Sequence, residues 1–331
     1  MRKTIKINYV GFWDGMDKMH NIYYDILSRH YNVEISDDPD YIFASMYKGP
    51  FEYGKYNDCI RIFHSGEDFF PDMNLFDFAV GYDDFELSGI TRSNEIIPRY
   101  FRWQYGYAWP LEDIKKHIGP IEEEHAWEIL NRKTKFCNFI YGHKSYRGER
   151  EFLYEKINAY KHVDSLGTYL NNTVDKHVVS FQHKIDVAKD YKFTIAAETL
   201  RYPGMTTEKI YDAFRAESIP IYYGSPFINK EINDDAYICW DGDASNIDQV
   251  ISRVIDIDNN DELYVSMLME QKLKKLNSID IRYEQLEKFL LTIFDRDKED
   301  IMQHVKIGAA SQRNGYEIML NEAAKFINGE K

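Results

Sequence analysis

One segment, residues 191–224, constrains the fold more than any other part of the sequence. It begins with the β-rich run YKFTIAAE, which ends in the carboxylate Glu198, and continues through a polar loop to the threonine pair Thr206-Thr207. The apolar residues that follow have helical spacing, and the run IPIYYG then predicts another strand. A strand, a loop and a helix N-terminus in this order build an anion site in a doubly wound parallel sheet.

The rest of the chain repeats this alternation of strands and helices in two blocks. Residues 1–131 contain β-rich runs such as TIKINYVGF and CIRIFHSG, and residues 132–300 restart the pattern with KFCNFIYG. We therefore predict an α/β fold with two Rossmann-like, doubly wound domains that face a cleft. A helical tail is expected over residues 301–331, with packing on the N-terminal domain as one option.

Charge and composition exclude several classes of protein. The 331 residues carry a net charge of −14, which disfavours nucleic-acid binding because phosphate contacts need a basic face. A local cluster of Arg and Lys still permits an anionic small molecule. We find neither a signal peptide nor an apolar run near the roughly 20 residues of a membrane span. We therefore expect a cytoplasmic protein, at most peripheral to the inner face of a membrane.

Two other features indicate structure rather than chemistry. The cysteines Cys59, Cys137 and Cys239 form no CxxC pair and lie in apolar runs, which predicts buried free thiols in a reducing compartment. Asp241 and Asp243 have the Asp-x-Asp spacing that some glycosyltransferases use for a metal, but an Asp-Gly-Asp run after a strand is more simply a turn. The absence of GxGxxG, GxxxxGK[ST] and GxSxG motifs counts against NAD enzymes, P-loop NTPases and α/β-hydrolases.

The first candidate site lies at the helix start within the segment 191–224. Thr206 is predicted to cap the helix, and Lys209 on the first turn adds positive charge where the helix dipole already favours anions. The alternative is a capped helix with a solvated Glu208–Lys209 pair, and the motif alone favours that alternative.

Arg150 is the second candidate. In the stretch YRGEREFLYEKI, Gly148 precedes a predicted helix that Arg150 would open, and a guanidinium offers phosphate a planar fork of donors. A surface arginine at a helix start is the simpler interpretation, and Arg147 and Lys144 of the same loop are competing cations.

Glu67 is the third candidate, in the stretch CIRIFHSGEDFFPD. It follows a predicted strand and precedes two phenylalanines, and apolar surroundings raise a carboxyl pKa toward the range that suits a general base. Asp68 is the competing carboxylate, and His64 on the preceding strand is a candidate for orienting a substrate. Turn capping by these carboxylates is the alternative.

Together the three motifs resemble the α-1,3-fucosyltransferases of glycosyltransferase family 10, in their bacterial form. The family pattern runs YKFxLxFENS, four residues, YxTEK, then a helix and a P[IV]xxG strand. This chain matches YKF, Glu198, Thr207-Glu208-Lys209 and IPIYYG at the same spacing.

The other two motifs agree with the same family. HSGED followed by NLFDFAVGYDDFE is similar to the TGEN and NLFDYAIGFD of bacterial members, and Arg150 matches an arginine of an R-x-x-[LF]-Y stretch ahead of VDSLG. The resemblance covers most of residues 58–225, with the motifs in the expected order.

The chain departs from the family pattern in one loop. Ala197, Thr199, Leu200 and Met205 stand where the pattern has Phe, Asn, Ser and Tyr. The donor contacts are expected in this loop, and Tyr202 is the candidate replacement for the missing tyrosine.

The resemblance implies a GT-B glycosyltransferase that moves L-fucose from GDP-fucose to a sugar hydroxyl with inversion. The acceptor would be O3 of GlcNAc in a lactosamine-type oligosaccharide of a bacterial surface glycan such as lipopolysaccharide. Residues 1–131 would bind the acceptor and supply Glu67 as general base, and residues 132–300 would bind the nucleotide sugar. The expected donor-binding residues are Arg150, Glu198, Tyr202, Thr207, Glu208 and Lys209.

Fixed cations would hold the leaving diphosphate, so no obligatory metal is expected, with stimulation by Mn²⁺ or Mg²⁺ as an option. Two alternatives stay open: a transferase for another nucleotide sugar, and an inactive relative that binds glycans. The acceptor, the choice between α-1,3 and α-1,4 linkage and the oligomeric state are not determined by the sequence.

Overall fold

The computed structural model of the protein describes residues 2–47, 56, 58–66, 71–84, 90–92, 95–103, 111–173 and 181–306. The contacts divide the chain into two compact units. The first unit comprises Met1–Trp103 and Asp280–Lys331, and the second comprises Gln104–Ile279.

The first unit contains a six-stranded sheet in the order β2-β1-β3-β4-β5-β8, in which every described pairing is parallel. The inner strands are buried on both faces, as expected of a parallel sheet covered by helices. A separate antiparallel pair, β6–β7, lies next to β8 in sequence. The elements are β1 Thr4–Val10, α1 Ile22–His30, β2 Asn32–Ile35, β3 Tyr41–Ala44, β4 Ile60–His64, β5 Phe78–Gly81, β6 Ile90–Arg92, β7 Glu95–Ile97 and β8 Tyr100–Arg102.

The second unit contains a five-stranded parallel sheet in the order β10-β9-β11-β12-β13. Its elements are α2 Leu111–Lys115, α3 Glu123–Arg132, β9 Lys135–Phe139, α4 Glu149–Tyr160, β10 Val163–Ser165, α5 Phe181–Ala188, β11 Tyr191–Ala197, α6 Glu208–Arg215, β12 Ile219–Tyr223, β13 Ile238–Cys239, α7 Ile247–Asp258 and α8 Asp261–Met269. Short 3₁₀ turns at Ile228–Lys230, Asp234–Ala236 and Ala244–Asn246 connect β12 to α7. The central strand β11 is buried along almost its whole length, so its end is a well-fixed position for a side chain.

Two C-terminal helices complete the first unit: α9 (Ser278–Phe294), which enters this unit at Asp280, and α10 (Lys298–Lys306). Phe294 packs against Tyr41 of β3, with ring centroids 4.4 Å apart, and Phe289 packs against Phe78 of β5 at 6.4 Å. Lys3 donates to the main-chain oxygens of residues 294 and 296 at 3.0 and 2.9 Å, which places a cation on the carbonyls that end α9.

The predicted α/β class with two parallel-sheet units and C-terminal helices is confirmed. The division of the chain differs from the expected boundary at residues 131 and 132, since Ala126, Ile129 and Leu130 of α3 lie in the core of the second unit. Of the expected tail, residues 307–331 lie outside the described residues.

The prediction of buried cysteines holds for Cys59 and Cys137 but is wrong for Cys239, which is exposed. Cys239 belongs to the two-residue edge strand β13, where Ile238 takes the buried position and its neighbour faces the other way. Within the described ranges, none of the helices combines the length and the apolar character that crossing a membrane requires.

Gly167 lies where the loop after β10 crosses the end of β9. A Cβ added to Gly167 would stand 2.0 Å from the carbonyl oxygen and 2.5 Å from the nitrogen of Tyr141. This close approach lets the Tyr169 N–H donate to the same Tyr141 carbonyl at 3.0 Å. The two loops therefore need a residue without a side chain at this point.

We expect Gly167→Ala to lower the free energy of unfolding by at least about 2 kcal/mol, because a clash with main-chain atoms is not relieved by a rotamer change. Gly142→Ala is the matched control, since its added Cβ would meet only Thr168 Oγ1 at 3.6 Å, an ordinary contact. Urea denaturation of both variants measures the difference. Equal losses in the two variants would contradict the assignment.

Candidate functional site

Glu198 follows the last residue of β11 and is the buried centre of the predicted site. Its N–H donates to the Tyr223 carbonyl at 2.7 Å, so its backbone still belongs to the sheet. The residue is 0% exposed. An ionised carboxylate in such a place requires partners, because burial without them costs several kcal/mol.

Helix α6 supplies those partners from its first turn. The Thr207 N–H donates to Glu198 Oε1 at 2.7 Å, and the Thr207 hydroxyl lies within 2.9 Å of both carboxylate oxygens. Lys209 Nζ lies 2.9 Å from Glu198 Oε2 and also donates to Thr207 Oγ1 at 2.8 Å. The three side chains form one hydrogen-bonded cluster, so the end of β11 and the start of α6 are tied together.

The predicted N-cap was off by one residue. The N-cap of α6 is Thr207, whose side chain contacts Glu198 and makes no capping bond of its own. Thr206 is buried, and its N–H donates to the Gly204 carbonyl at 2.7 Å in the preceding turn. The threonine that begins the helix is thus the one that is hydrogen-bonded to Glu198.

Glu208 extends the cluster toward α5. Its Oε1 lies 3.6 Å from Lys209 Nζ and 4.0 Å from Lys184 Nζ. Burial opposes the ionised form, but the two ammonium groups outweigh it and lower the pKa of Glu208 to about 2. The side chain is 29% exposed, so a carboxylate that stays ionised is presented at the surface of the cluster. The predicted alternative of a solvated Glu208–Lys209 pair is therefore wrong, because the two side chains are only 29% and 16% exposed and belong to the buried cluster.

Lys184 and Asp212 continue this alternation of charges. Lys184 Nζ donates to Asp212 Oδ2 at 2.8 Å, and Asp212 lies 3.5 Å from Arg215, which donates through Nε to Asp113 of α2 at 2.9 Å. Sequence reasoning missed these residues. The spacing of Glu208 and Asp212 could have predicted such a partner. Acids at i and i+4 lie on the same helix face and repel each other, so a neighbouring cation stabilises them.

Arg150 opens α4 from a loop with its own internal bonds. Gly148 takes the N-cap position at φ 89°, which favours glycine, and its N–H donates to Ser145 Oγ at 3.0 Å. Glu151 accepts from the Ser145 N–H at 2.9 Å. These bonds turn the second residue of the helix inward, whereas the competing cations Lys144 and Arg147 are exposed.

The Arg150 guanidinium is buried and held on three sides. It is 4% exposed, donates to the His143 carbonyl at 3.2 Å and to Thr199 Oγ1 at 3.3 Å, and lies 4.0 Å from the centre of the Tyr141 ring. Its Nε is buried and has no hydrogen-bond partner among the described residues. The interpretation of Arg150 as a surface arginine is therefore wrong.

The two predicted cations, Arg150 and Lys209, and the additional cation Lys184 all act on the Tyr141 hydroxyl. Burial raises the pKa of Tyr141, and the charges of Arg150, Lys209 and Lys184 act in the opposite direction. Direct contacts agree with this: the Tyr141 ring lies 4.0 Å from the Arg150 guanidinium, and its hydroxyl accepts from the N–H of Ala197, the residue before Glu198. Because Lys209 lies 2.9 Å from Glu198, the start of α4 and the start of α6 are at the same edge of the sheet.

The loop between Glu198 and α6 contains the two positions that the sequence singled out for a donor contact. Met205 is buried, and its carbonyl accepts from the Ser225 N–H at 3.1 Å and from the Tyr222 hydroxyl at 3.2 Å. Tyr202 is partly exposed, and its carbonyl accepts from the Met205 N–H at 3.0 Å. Met205 therefore anchors the loop. Tyr202, and not Met205, is accessible to solvent.

In the first unit the structure describes only part of the predicted site. Glu67 and Asp68 lie outside the described residues. His64 ends β4, lies 2.6 Å from the Tyr23 hydroxyl through Nδ1, and stacks on Phe12. Burial lowers the pKa of His64 to about 3, so its imidazole is neutral at physiological pH.

Asp241 and Asp243 form a turn, as predicted. Asp241 Oδ1 accepts from the Asp243 N–H at 2.9 Å and from the Asn246 side chain at 2.8 Å, and Asp243 Oδ1 accepts from the Ser245 N–H at 2.8 Å. Both carboxylates thus satisfy local donors ahead of α7.

Removal of the Glu208 charge should change how stability depends on pH. The pKa of Glu208 in the folded protein is about 2, below its usual 4.5, so the ionised form stabilises the fold fully above about pH 4.5 and progressively less toward pH 2. The difference in free energy of unfolding between wild type and Glu208→Gln should shrink by about 2 kcal/mol between pH 6 and pH 3. Urea denaturation at both pH values tests this, with exposed Glu155→Gln on α4 as the control. The same pH response in both variants would refute the assignment.

Loss of the Lys209 charge should destabilise the protein through Glu198. Lys209→Met leaves a fully buried carboxylate without its cation, which costs about 3–5 kcal/mol, and the double change Glu198→Gln/Lys209→Met should recover part of this loss. Lys189→Met, which breaks the exposed pair with Asp186, should change stability by about 0.5 kcal/mol or less. Chemical denaturation compares the three. A double variant as unstable as Lys209→Met would show that the pairing is not what matters.

Two family models match the chain in order. The model of the "Alpha-(1,3)-fucosyltransferase FucT N-terminal domain" matches residues 7–103, and that of "Glycosyltransferase family 10 (fucosyltransferase) C-term" matches residues 130–290. The second match contains Glu198, Arg150 and the whole of α6.

Individual relatives agree with these models. The chain is 25% identical over 326 residues to the α-(1,3)-fucosyltransferase FucT of Helicobacter pylori, across 88% of this chain and 66% of the relative. It is 30% identical over 111 residues to α-(1,3)-fucosyltransferase B of Drosophila melanogaster, across 34% of this chain and 23% of the relative. The chain thus spans less than two thirds of the length of these curated relatives.

Solved structures share the fold. A crystal structure of an α1,3-fucosyltransferase with GDP-fucose superposes with a TM-score of 0.67 at 22% identity, covering 90% of this chain and 92% of that chain. A further crystal structure of an α1,3-fucosyltransferase gives a TM-score of 0.68 at 23% identity, covering 89% and 91%. The two family models match consecutive parts that together make up more than three quarters of the sequence, and the chain belongs to glycosyltransferase family 10, the fucosyltransferase family.

Proposed function

We propose that this protein transfers L-fucose from GDP-fucose to a hydroxyl of a glycan acceptor. Family membership and the names of the relatives support the reaction. The observation that carries the donor assignment is the Arg150 guanidinium, which is 4% exposed and keeps a buried Nε–H without a partner among the described residues. A buried donor on a cation is what an anionic oxygen of a ligand would satisfy.

Negative charge grows on the diphosphate of GDP as the bond to fucose breaks, so the site must stabilise that charge. The described hydrogen bonds of Arg150 go to a carbonyl and a hydroxyl, both neutral, and do not cancel its charge. The charge of Lys209 is partly balanced by Glu198, so Lys209 acts as an oriented donor rather than a free cation. The first turn of α6 adds N–H groups that a helix leaves without partners of its own.

Glu208 has a different role in this proposal. A carboxylate with a pKa of about 2 is an acceptor of hydrogen bonds at physiological pH and not a proton donor. Its partly exposed carboxylate suits hydroxyls of the ribose or of fucose. Glu198 is fully buried and acts through Thr207 and Lys209 by fixing the start of α6. Tyr202, partly exposed in the loop before α6, is the proposed aromatic contact to the donor.

Glu67 is the proposed general base, by the match of HSGED to the family motif. Its carboxylate would take the proton of the acceptor hydroxyl while that oxygen attacks the anomeric carbon of fucose, and the bond to the diphosphate breaks on the opposite face. The anomeric centre is inverted, which turns a β-linked donor into an α-linked product. With Arg150 and Lys209 on the leaving group, no metal is obligatory for the step, and stimulation by Mn²⁺ or Mg²⁺ stays open.

The α-1,3 linkage is proposed from the relatives' names. The acceptor, GlcNAc in a lactosamine-type oligosaccharide of a bacterial surface glycan, and action at the inner face of the membrane are proposed from the resemblance of the sequence motifs alone.

The roles of Arg150 and Glu67 are separable by experiment. Arg150→Ala should lower kcat/KM for GDP-fucose by about 10²-fold or more, as the loss of an electrostatic stabiliser does, and Lys144→Ala, an exposed cation of the same loop, should not. Glu67→Ala should abolish GDP release in the presence of a lactosamine acceptor while GDP binding persists.

Calorimetry with GDP, UDP and CDP decides the donor. Preference for UDP would overturn GDP-fucose as donor, and turnover by Glu67→Ala near the wild-type rate would overturn the base. GDP binding without any turnover on a panel of acceptors would favour a glycan-binding relative.

A further inference from the structure

Tyr141 occupies an unusual position beside the donor site. It lies two residues beyond β9, in the loop that leads to α4, and is buried. Its main chain contacts Gly167 and accepts from Tyr169, so the loop after β10 packs directly on it. The backbone of Tyr141 is therefore fixed independently of the contacts that its side chain makes.

The Tyr141 hydroxyl bridges two residues of β11. It donates to the Ile195 carbonyl at 2.7 Å and accepts from the Ala197 N–H at 2.7 Å. Ala197 ends the strand and immediately precedes Glu198. The hydroxyl thus fixes the last residue before the carboxylate that organises the start of α6.

The Tyr141 ring supports the other half of the site. The Arg150 guanidinium lies 4.0 Å from the ring centre, a distance at which the face of the ring attracts a cation. The ring covers one face of the guanidinium, while His143 and Thr199 accept two of its N–H bonds at 3.2 and 3.3 Å. The Nε–H has no hydrogen-bond partner within the described part of the chain.

We propose that Tyr141 is a positioning residue for the donor site, an inference that rests on the proposed function. Its hydroxyl sets the end of β11 and with it Glu198, Thr207 and Lys209. Its ring, together with Thr199, holds Arg150 so that the Nε–H is kept for an anionic oxygen of the diphosphate. One side chain thereby couples the two groups of cations that bind the leaving group.

Two matched variants test the hydroxyl. Tyr141→Phe keeps the ring and removes only the bridge to β11. Tyr264→Phe removes a buried hydroxyl that donates to the Lys192 carbonyl, at 2.9 Å, near the opposite end of the same strand. Both changes should lower stability, because each removes a buried hydrogen bond to the backbone of β11. The loss should be smaller for Tyr264→Phe, because the Lys192 carbonyl keeps the Ser218 hydroxyl as a donor at 3.2 Å.

Only Tyr141→Phe should weaken GDP binding, by about tenfold, and raise KM for GDP-fucose with the acceptor KM unchanged. Tyr264→Phe should stay within about twofold of wild type in both. A GDP affinity of Tyr141→Phe equal to that of Tyr264→Phe would overturn the role of the hydroxyl.

A double-mutant cycle tests the ring. The ratio of GDP affinities between Tyr141→Phe and Tyr141→Leu isolates the ring and should be about 5- to 30-fold, the upper end being that of a desolvated cation–π contact. In the Arg150→Ala background the same ratio should fall to within about twofold, because the group that the ring supports is gone. A ratio that persists without Arg150 would overturn the role of the ring.

These results are distinguishable from failure of the proposed function itself. If the wild type does not bind GDP, or if Arg150→Ala binds it as tightly as wild type, the donor-site assignment is wrong and the inference fails with it. If Arg150→Ala is weakened but Tyr141→Phe is not, the donor site stands and the inference alone is wrong. Should Tyr141→Leu fail to fold, the comparison of the two Phe variants still decides the role of the hydroxyl.

Discussion

The burial of one carboxylate, Glu198, is the constraint on which the site depends. An ionised group without exposure to water must find a cation and hydrogen-bond donors inside the protein. Thr207 and Lys209 meet that need, and in doing so they determine where α6 begins and how the loop after β11 is closed. In the proposed donor site, Thr207 and Lys209 satisfy Glu198 and are also the groups assigned to the ligand, so the anion site would follow largely from neutralising the end of a strand.

The same requirement spreads outward along α6. Lys209 and Lys184 flank Glu208, Lys184 pairs with Asp212, and Arg215 joins Asp212 to Asp113 of α2. Each ion in the series is balanced by the next, so none of these charges is buried alone. Such a series adds little to the free energy of unfolding as a sum of pairs. It holds each side chain in one orientation, and the loss of a single member destabilises the protein because its partner is left as an unpaired charge.

Local patterns in the sequence predicted the strand–loop–helix unit, because the spacing of apolar residues and the match to a family motif are properties of contiguous residues. The inward turn of Arg150 was not predictable in that way, since it depends on the Ser145–Glu151 bond and on the ring of Tyr141. Lys184 and Tyr141 were missed for the same reason. Both are far from α6 in the sequence and come close to it only through the packing of α5 and of the loop after β9. Thr199 illustrates the limit, because a departure from the family pattern by sequence is, in the structure, an acceptor for Arg150.

The return of α9 to the first unit has a consequence for the order in which the protein is made. Lys3 at the start of the chain donates to main-chain oxygens at the end of α9, and Tyr41 and Phe78 are covered by the same helix. During synthesis from the N-terminus, the whole of the second unit therefore leaves the ribosome before the first unit can bury these rings. The second unit is an insertion that can fold early. The first sheet keeps part of its apolar face uncovered until α9 has been synthesised, and at this stage the nascent chain is most prone to aggregation.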